Sequence, residues 1–437
     1  MAPKTMPILI VAVLLVAFVG GFFLLSDDSE KGSEVKEGRL TIYGNANNDD
    51  YIDDRDVDFV QKILDDVKNG GSWDSKEYPY ADSDYDGDVD SDDLDYVKKM
   101  VDRNIDHVYY LNANFDVDRV RYPITSIVSA GSWTHSGIVT MGLSDITYGC
   151  SDSVSAFDEY YWIDLIDKYR TSPKIGQANT EKVFTLMDMM RSEGKTLDCI
   201  ITTDNSLSNE QDFINAGLDV LELPFGNDNE INAYLILGFL TQREERSHQV
   251  AEFYDEIMDK AKELGDKHSA DPITAVIAYG SNKIESSAGD HDLTHSMCIK
   301  NVWQYDKSVD SKDDVVLDGN TEWLSNPEWN GDYVIGQEKP RYAPGCDEVA
   351  LWKEYVDAFG VLDAVPENLV ILNCGMFEPI MVAYMLEIMY PDEVEKGYGD
   401  AKHQYFIDSF INGLSGWYNV ETDGTFCITY DDVKDKL

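Results

Sequence analysis

Residues 241–264 read TQREERSHQVAEFYDEIMDKAKEL, and their pattern predicts one long helix near the middle of the chain. Thr241 and Glu244 have the spacing of a capping box, in which each side chain bonds to the other residue's free backbone amide. Gly265 predicts the helix end. At 1.5 Å per residue the helix would be about 35 Å long, enough to cross a small domain. Apolar residues at three- and four-residue steps form one stripe along it: Val250, Phe253, Tyr254, Ile257, Met258, Ala261 and Leu264.

Strands and helices alternate on both sides of this stretch. Such alternation predicts mainly parallel sheets that are covered by helices on both faces. We therefore expect the long helix to join two α/β lobes, rather than to be an ordinary surface helix of one domain. The predicted strands are 124–129, 197–202, 219–223, 273–279 and 368–373, and the predicted helices are 180–191, 209–216, 347–359 and 378–389. Another helix is predicted to start at 137–141, and the alternating pattern continues through 145–150.

The length and charge of the chain limit its class. A chain of 437 residues suits two or three domains. Its 35 basic and 83 acidic residues give a net charge of -48, which argues against nucleic-acid binding because phosphate contacts need Lys and Arg. A hydrophobic fraction of 43% is that of a globular protein. Adaptation to salt would explain the part of the acidity that has no local cause.

The cysteine and histidine residues give only weak indications of disulfides or of a metal site. The six cysteines are scattered without zinc-like spacing, and outside the cell they could form up to three disulfides whose pairing the sequence does not choose. His291, His295 and Cys298 could present three soft ligands to copper or zinc, but unrelated residues are the favoured interpretation.

The N-terminus carries an apolar run at residues 7–25, which is about as long as a bilayer core is thick. Lys4 precedes it and acidic residues follow it, which places the N-terminus inside the cell. A cleaved signal peptide is the alternative, but no small-x-small site follows Leu25. We expect a membrane anchor at 1–25, a polar linker at 26–38, and the remaining chain on the extracellular face of the cell membrane.

Two acidic loops, 45–56 and 82–93, have the spacing of calcium ligands, and an apolar helix pattern follows each. Calcium takes oxygen ligands at loop positions one, three, five, nine and twelve, with a backbone carbonyl at seven and glycine at six. The first loop has Asp50 at position six, where the second has Gly87, so we expect strain and weaker binding there. The predicted ligands are Asn45, Asn47, Asp49, Tyr51, Asp53 and Asp56 in the first loop, and Asp82, Asp84, Asp86, Asp88, Asp90 and Asp93 in the second.

This pair of loops resembles a type I dockerin, a small all-α module that binds calcium, and the resemblance covers residues 39–106. It implies a cohesin-type protein partner. Family dockerins contact cohesin through loop positions ten and eleven, which fall on Asp54, Arg55, Ser91 and Asp92. We also expect this small module to be partly unfolded without calcium, because the clustered carboxylates repel one another.

Motifs on both sides of the long helix resemble the class III, metal-chelate type of periplasmic binding protein. Residues 123–130 (PITSIVSA) are similar to its opening strand, and 141–152 (MGLSDITYGCSD) to its "LGLGDRVVGVSD" stretch. PKIG at 173–176, NTEKV at 179–183, LDCII at 197–201 and YPDEV at 390–394 follow in the family's order. The resemblance implies two Rossmann-like lobes joined by one long helix: an N-lobe at 121–240, the helix at 241–265 and a C-lobe at 266–437.

The resemblance implies a solute-binding receptor of an ABC importer, not an enzyme, whose ligand is an iron chelate or a corrinoid and whose partner is a permease complex. In open α/β sheets ligands lie at the carboxyl ends of the strands. The residues expected there are Ser132, Trp133, His135, Asp204, Asn205, Tyr279, Asn282 and Met376, with Gly280 and Cys374 beside them.

Two departures keep an alternative open. The family's permease-docking glutamate falls near His135 and Ser136 here, and a dockerin is unusual on an import receptor. A surface adhesion or scaffolding protein that uses the fold only as structure would fit both observations. Residues 304–346 form a long polar insertion, interpreted as a surface insertion in preference to a lid over the cleft.

Overall fold

The computed structural model describes residues 39–437 except 75, 153–170, 204–206, 227–229, 282, 285–299, 302–314, 317–329, 339–344 and 374–375. The predicted anchor and linker, the soft-ligand set at 291–298 and most of the insertion lie outside the described residues. Within the described part of the chain, no helix is both long enough and apolar enough to cross a membrane.

The two acidic loops each lead directly into a helix, as predicted. Asp53 and Asp56 form a reciprocal capping box at the first helix, and Asp90 and Asp93 form one at the second. Because these carboxylates are also loop positions nine and twelve, each loop and its helix are one structural unit. The helices are α1 (Asp54–Lys68) and α2 (Ser91–Val101), with a 3-10 turn at Pro79–Ala81 between them.

An antiparallel hairpin, which the sequence did not predict, joins this loop module to the N-lobe. Its strands are β1 (His107–Leu111) and β2 (Val117–Arg121). On one side the Tyr43 amide donates to the Tyr109 carbonyl at 2.9 Å. On the other, Arg121 Nε donates to Asp219 at 2.8 Å. The hairpin therefore ties the loop module to the N-lobe sheet.

The N-lobe contains four parallel strands in the order β4-β3-β5-β6. Ile200 lies at its centre, beside Val128 on one strand and Val220 on the other. A 3-10 turn spans Leu143–Asp145. The strands are β3 (Ile127–Ser129), β4 (Thr147–Cys150), β5 (Cys199–Thr202) and β6 (Asp219–Glu222), and the helices are α3 (Ser132–Thr140), α4 (Thr180–Ser192), α5 (Glu210–Asn215) and α6 (Glu230–Leu240).

The C-lobe sheet has the order β10-β8-β7-β11-β12-β13, with β9 also paired to β7. Its central strands β7, β11 and β12 are parallel, and β13 closes one edge antiparallel to β12. The strands are β7 (Thr274–Tyr279), β8 (Lys283–Ile284), β9 (Lys300–Asn301), β10 (Val315–Val316), β11 (Tyr333–Glu338), β12 (Leu369–Asn373) and β13 (Cys427–Thr429). The helices are α8 (Glu348–Phe359), α9 (Glu378–Met389), α10 (Tyr398–Phe410), α11 (Val420–Asp423) and α12 (Tyr430–Val433).

The long helix exists, but both of its predicted ends were wrong. The inter-lobe helix, α7, spans Glu244–His268. Thr241 does not cap it, because its hydroxyl donates instead to the Leu237 carbonyl at 2.6 Å and completes the turn after α6. Gly265 does not end it, because the helix continues to His268, whose Nε2 lies 2.6 Å from Glu393 Oε1.

The apolar stripe of α7 was predicted correctly and lies in the central core. Five of its members are buried, whereas Tyr254 and Met258 are partly buried. Phe253 stacks among Phe377, Phe406 and Phe410 of the C-lobe. The same core includes apolar residues of the loop module, so module and lobes bury apolar surface together: Leu40, Ile42, Ile52 and Met100.

Candidate functional site

The second loop brings three carboxylates to one point. One oxygen from each of Asp82, Asp84 and Asp86 lies within 4.8 Å of the others. The Asp82 side chain also accepts from the amides of Asp86 and Gly87, both at 3.0 Å. Gly87 has a φ of 101°, which suits glycine and lets the chain turn sharply at position six. Three of the predicted ligand residues of this loop, at positions one, three and five, therefore lie together.

Burial raises the pKa of three carboxyl groups in the second loop. Burial raises the pKa of Asp93 to about 6, although its oxygens accept from the amides of Asp90, Ser83 and Asp84. Burial, and then repulsion from neighbouring carboxylates, also raises the pKa of Asp82 and Asp84. A bound cation would lower all three pKa values because it favours the charged form.

One carboxylate oxygen in the second loop favours a bound metal ion. Asp84 Oδ1 is buried and has no hydrogen-bond partner. An unpaired buried carboxylate oxygen is costly, and a hard divalent cation with oxygen ligands removes that cost. The residues of the second loop therefore fit calcium. Asp90 caps α2, and the Asp88 side chain is exposed, as expected where the backbone carbonyl is the ligand.

The first loop has the same backbone plan but different side-chain partners. Asp49 Oδ2 lies 2.7 Å from Arg55 Nη1, and Asp53 Oδ2 lies 2.8 Å from Arg55 Nη2. Asp56 is fully buried, which raises its pKa to about 7. The Tyr51 ring packs against His248 of α7 at an interplanar angle of 39°, with ring centroids 4.1 Å apart. Two carboxylates of this loop are thus paired with a cationic side chain of the protein itself.

Asn45 and Asn47, the neutral ligands predicted for the first loop, bond within it. Asn45 Nδ2 donates to the Leu40 carbonyl at 2.7 Å, and Asn47 Nδ2 donates to Asp49 Oδ2 at 3.0 Å. The strain expected at Asp50 is not observed, because Asp50 is not in the left-handed region. The left-handed residue of this loop is Asn48 at position four, with a φ of 55°, and Tyr85 at the same position of the second loop has a φ of 58°. The residues at positions ten and eleven of both loops are exposed: Asp54, Arg55, Ser91 and Asp92.

Two predicted cleft residues begin α3, directly after β3. Ser132 and Trp133 form the first turn, and Trp133 is 37% exposed. A Cβ placed on Gly226 would lie 3.2 Å from the Trp133 ring, so the loop after β6 runs directly beneath the indole. This places loops from two strand ends together.

Two other predicted cleft residues are buried, and the expectation that they line an open cleft was wrong. His135 is fully buried on the inner face of α3, where its Nδ1 lies 2.6 Å from Ser129 Oγ. Burial lowers its pKa to about 3, so the ring is neutral. Met376 is 1% exposed and belongs to the central core. Both are apolar or neutral groups that packing withdraws from solvent.

The remaining predicted cleft positions are described only in part. Asp204, Asn205, Asn282 and Cys374 lie outside the described residues. Tyr279 ends β7 opposite Gln337, and Gly280 follows with a φ of 71°.

Two acidic residues, Glu230 and Glu378, were not among the predicted site residues. They begin α6 and α9, the helices that follow β6 and β12. Burial, and then the charge of Glu378, raises the pKa of Glu230 to about 8. The Tyr234 hydroxyl donates to Glu230 Oε1 at 3.2 Å, and the centroids of the Tyr234 and Phe377 rings are 5.6 Å apart. The sequence feature that could have indicated these two residues is an acidic residue at the start of an apolar helix that follows a buried strand.

Comparison with known proteins shows the fold. No protein-family model matches the chain, and no curated protein matches it. It is similar to the TroA-like periplasmic binding protein FepB from Veillonella parvula, with a TM-score of 0.57 and 13% identity over 74% of this chain and 99% of that chain.

Two further solved structures agree. An ABC transporter solute binding protein from Sulfurospirillum deleyianum has a TM-score of 0.52 and 15% identity over 75% of this chain and 99% of that chain. The molybdate periplasmic binding protein MolA of Haemophilus influenzae has a TM-score of 0.53 and 10% identity over 69% of this chain and 97% of that chain. This chain therefore has the α/β fold of the TroA-like periplasmic binding proteins.

Proposed function

We propose that this protein is the solute-binding receptor of an ABC importer, held on the extracellular face of the membrane by its N-terminal segment. The observation that carries the proposal is the architecture, in which the helix α7 joins two lobes with parallel strands. The similar V. parvula and S. deleyianum proteins, covered over 99% of their chains, are described as binding proteins. Fold alone does not fix function, so the ligand needs a separate argument.

The connection between the lobes supports capture with little hinge motion. Arg246 of α7 donates to the Thr140 carbonyl at the end of α3 at 2.9 Å, and to the Phe410 carbonyl at the end of α10 at 2.8 Å. Its guanidinium also lies 4.7 Å from the centre of the Phe410 ring. A continuous helix tied to both lobes resists the bending that hinged strand crossovers allow.

We propose an iron chelate or a corrinoid as the ligand. Trp133, exposed at the strand end beside Gly226, offers an aromatic surface of the kind that bulky chelates contact. Polar groups from the neighbouring loops would orient the ligand. The sequence resemblance to metal-chelate binding proteins favours this class over a small sugar or amino acid.

We propose that the second loop binds calcium and that the loop module attaches to a cohesin-type protein. The convergent carboxylates of Asp82, Asp84 and Asp86 support the first part. The second part rests on the dockerin resemblance and on the exposure of Ser91 and Asp92. Calcium would link the loop to the start of α2 through Asp93, whose side chain completes the capping box of that helix.

A surface scaffolding role is the second candidate, and His135 favours it. The position of the family's permease-docking glutamate falls at His135 and Ser136, and His135 is fully buried. A permease arginine would find no carboxylate at that position. A scaffold would keep the lobes as a rigid body and use the loop module for attachment.

A ligand screen separates the two candidates. We would measure the melting temperature and tryptophan emission of the full chain with ferric siderophores, haemin and cobalamin. A ligand at 100 times its Kd stabilises the folded state by about 2.7 kcal/mol. Trp133→Phe should reduce the emission change, whereas Trp417→Phe, in an exposed residue of the C-lobe, should not. If no compound shifts either signal while a cohesin-type protein binds in calcium, the receptor proposal fails and the scaffold is supported.

A further inference from the structure

We infer that the paired loops bind one calcium ion, in the second loop, and that the first loop is a calcium-independent contact between the loop module and α7. In this loop the Arg55 guanidinium takes the place of an ion. The inference rests on the proposed calcium function of the second loop. It departs from the sequence expectation of two calcium sites.

The first observation is where the Arg55 guanidinium lies. Nη1 is 2.7 Å from Asp49 Oδ2, Nη2 is 2.8 Å from Asp53 Oδ2, and Nε is 3.0 Å from Asp53 Oδ1. Asp49 and Asp53 are positions five and nine of the loop, two carboxylates that a cation would need. A guanidinium that bonds both of them competes with calcium for the same charge.

The second observation is the charge at the matching position of each loop. Arg55 is position eleven of the first loop, and Asp92 is position eleven of the second. The second loop therefore has an additional negative charge where the first carries its own cation. Asp84 Oδ1 in the second loop is buried without a hydrogen-bond partner, whereas the oxygens of Asn47 and Asp49 have partners. At position three the second loop therefore offers a buried carboxylate oxygen without a partner, where the first loop has an amide oxygen that already accepts a hydrogen bond.

The third observation is that the first loop is already used for packing. Asp50, in place of the position-six glycine, accepts from Arg39 Nη2 at 2.7 Å, and Arg39 Nη1 lies 2.7 Å from Asp255 Oδ1 on α7. The Asp50 carbonyl accepts from His248 Nε2 at 2.9 Å. The loop is thus held on α7 by ion pairs that run from Asp50 through Arg39 to Asp255, and these pairs need no metal ion.

Calcium stoichiometry tests the inference. Isothermal titration of the full chain should give one ion, and Asp84→Asn should weaken the binding of that ion by about ten-fold or more. Asn47→Asp alone adds a carboxylate to the first loop but keeps Arg55, so the count should stay at one. The double variant Asn47→Asp/Arg55→Ala removes the competing guanidinium and should bind two ions.

The outcomes distinguish a failure of this inference from a failure of the proposed calcium function of the second loop. No calcium bound by the wild-type chain would refute the calcium function itself. Two ions bound by the wild type, or by Asn47→Asp alone, would refute the role of Arg55 while leaving that function intact. One ion in the double variant would also refute the role of Arg55.

Hydrogen exchange tests the calcium-independent contact without relying on stoichiometry. In chelator, amides of the second loop should lose protection by a large factor, because their carboxylate acceptors repel one another without the ion. Amides of the first loop should keep theirs, because Arg39, Arg55 and α7 hold it. Equal loss of protection in both loops would overturn the assignment.

Discussion

Arg39 Nη1 lies 2.7 Å from Asp255 Oδ1, which joins two residues 216 positions apart in the sequence. The same guanidinium bonds Asp50, so one side chain links the first loop to α7. Both members of the Arg39–Asp255 pair are about three-quarters buried. The loop module is therefore fixed on the inter-lobe helix by charge as well as by the shared apolar core.

Arg39→Ala should destabilise the chain by about 1 kcal/mol, because two carboxylates lose their partner in a partly buried site that solvent still screens. The free energy of unfolding in urea measures this loss. Lys434→Ala, which removes an exposed ion pair with Asp431, is the matched control and should change little. Equal effects of the two substitutions would contradict the role of Arg39.

Asp84→Asn should weaken calcium binding by about ten-fold or more, because it removes charge from the buried oxygen that has no other partner. Asp88→Asn removes the same charge from an exposed side chain whose backbone carbonyl is the expected ligand, so it should have a small effect. Isothermal titration at equal ionic strength compares them. A larger loss for Asp88→Asn would reject the assigned ligand positions.

Glu230→Gln should reduce the pH dependence of stability. The pKa of Glu230 is raised to about 8, so its contribution is present at low pH and is lost as the pH rises through about 8. The wild-type melting temperature should therefore fall between about pH 4.5 and about pH 8 more steeply than that of Glu230→Gln. Glu245→Gln, at an exposed position, controls for the change in net charge and should retain the wild-type slope.

Arg246→Lys should destabilise the chain by about 2 kcal/mol, because a lysine ammonium cannot bond carbonyls of α3 and α10 together as the guanidinium does. The two lobes should then exchange backbone amides faster near Thr140 and Phe410. Arg243→Lys, in an exposed pair with Asp145, is the control. Unchanged exchange at both positions would show that Arg246 does not tie the lobes.

Much of the fold was predictable because strand and helix patterns are local. The expected helix at 378–389 is observed as Glu378–Met389, and the expected strand at 273–279 is observed as Thr274–Tyr279. Apolar periodicity and breaker residues lie within one segment, so no distant partner is needed to read them. The hairpin of β1 and β2 was missed because its strands have mixed polarity and are stabilised by the loop module and N-lobe on either side.

The ends of α7 show where local signals fail. Thr241 has a good capping partner three residues on, but it completes the turn after α6 instead. Gly238 of α6 lies so close to Ser247 that a Cβ there would be 2.2 Å from the hydroxyl oxygen. This tight packing of α6 on α7 sets where the chain turns, and it outweighs the small free energy of a capping box.

The sequence by itself determined the spacing of the acidic residues in the two loops, many of the alternating strands and helices, and the apolar face of the inter-lobe helix, because each depends on spacing along the chain. Tertiary structure alone decided that His135 is buried, that Arg55 pairs with Asp49 and Asp53 and that Arg39 reaches Asp255. These outcomes depend on burial and on charges from distant segments. Desolvation makes the choice of partner for a charged side chain a property of the folded neighbourhood rather than of the sequence motif.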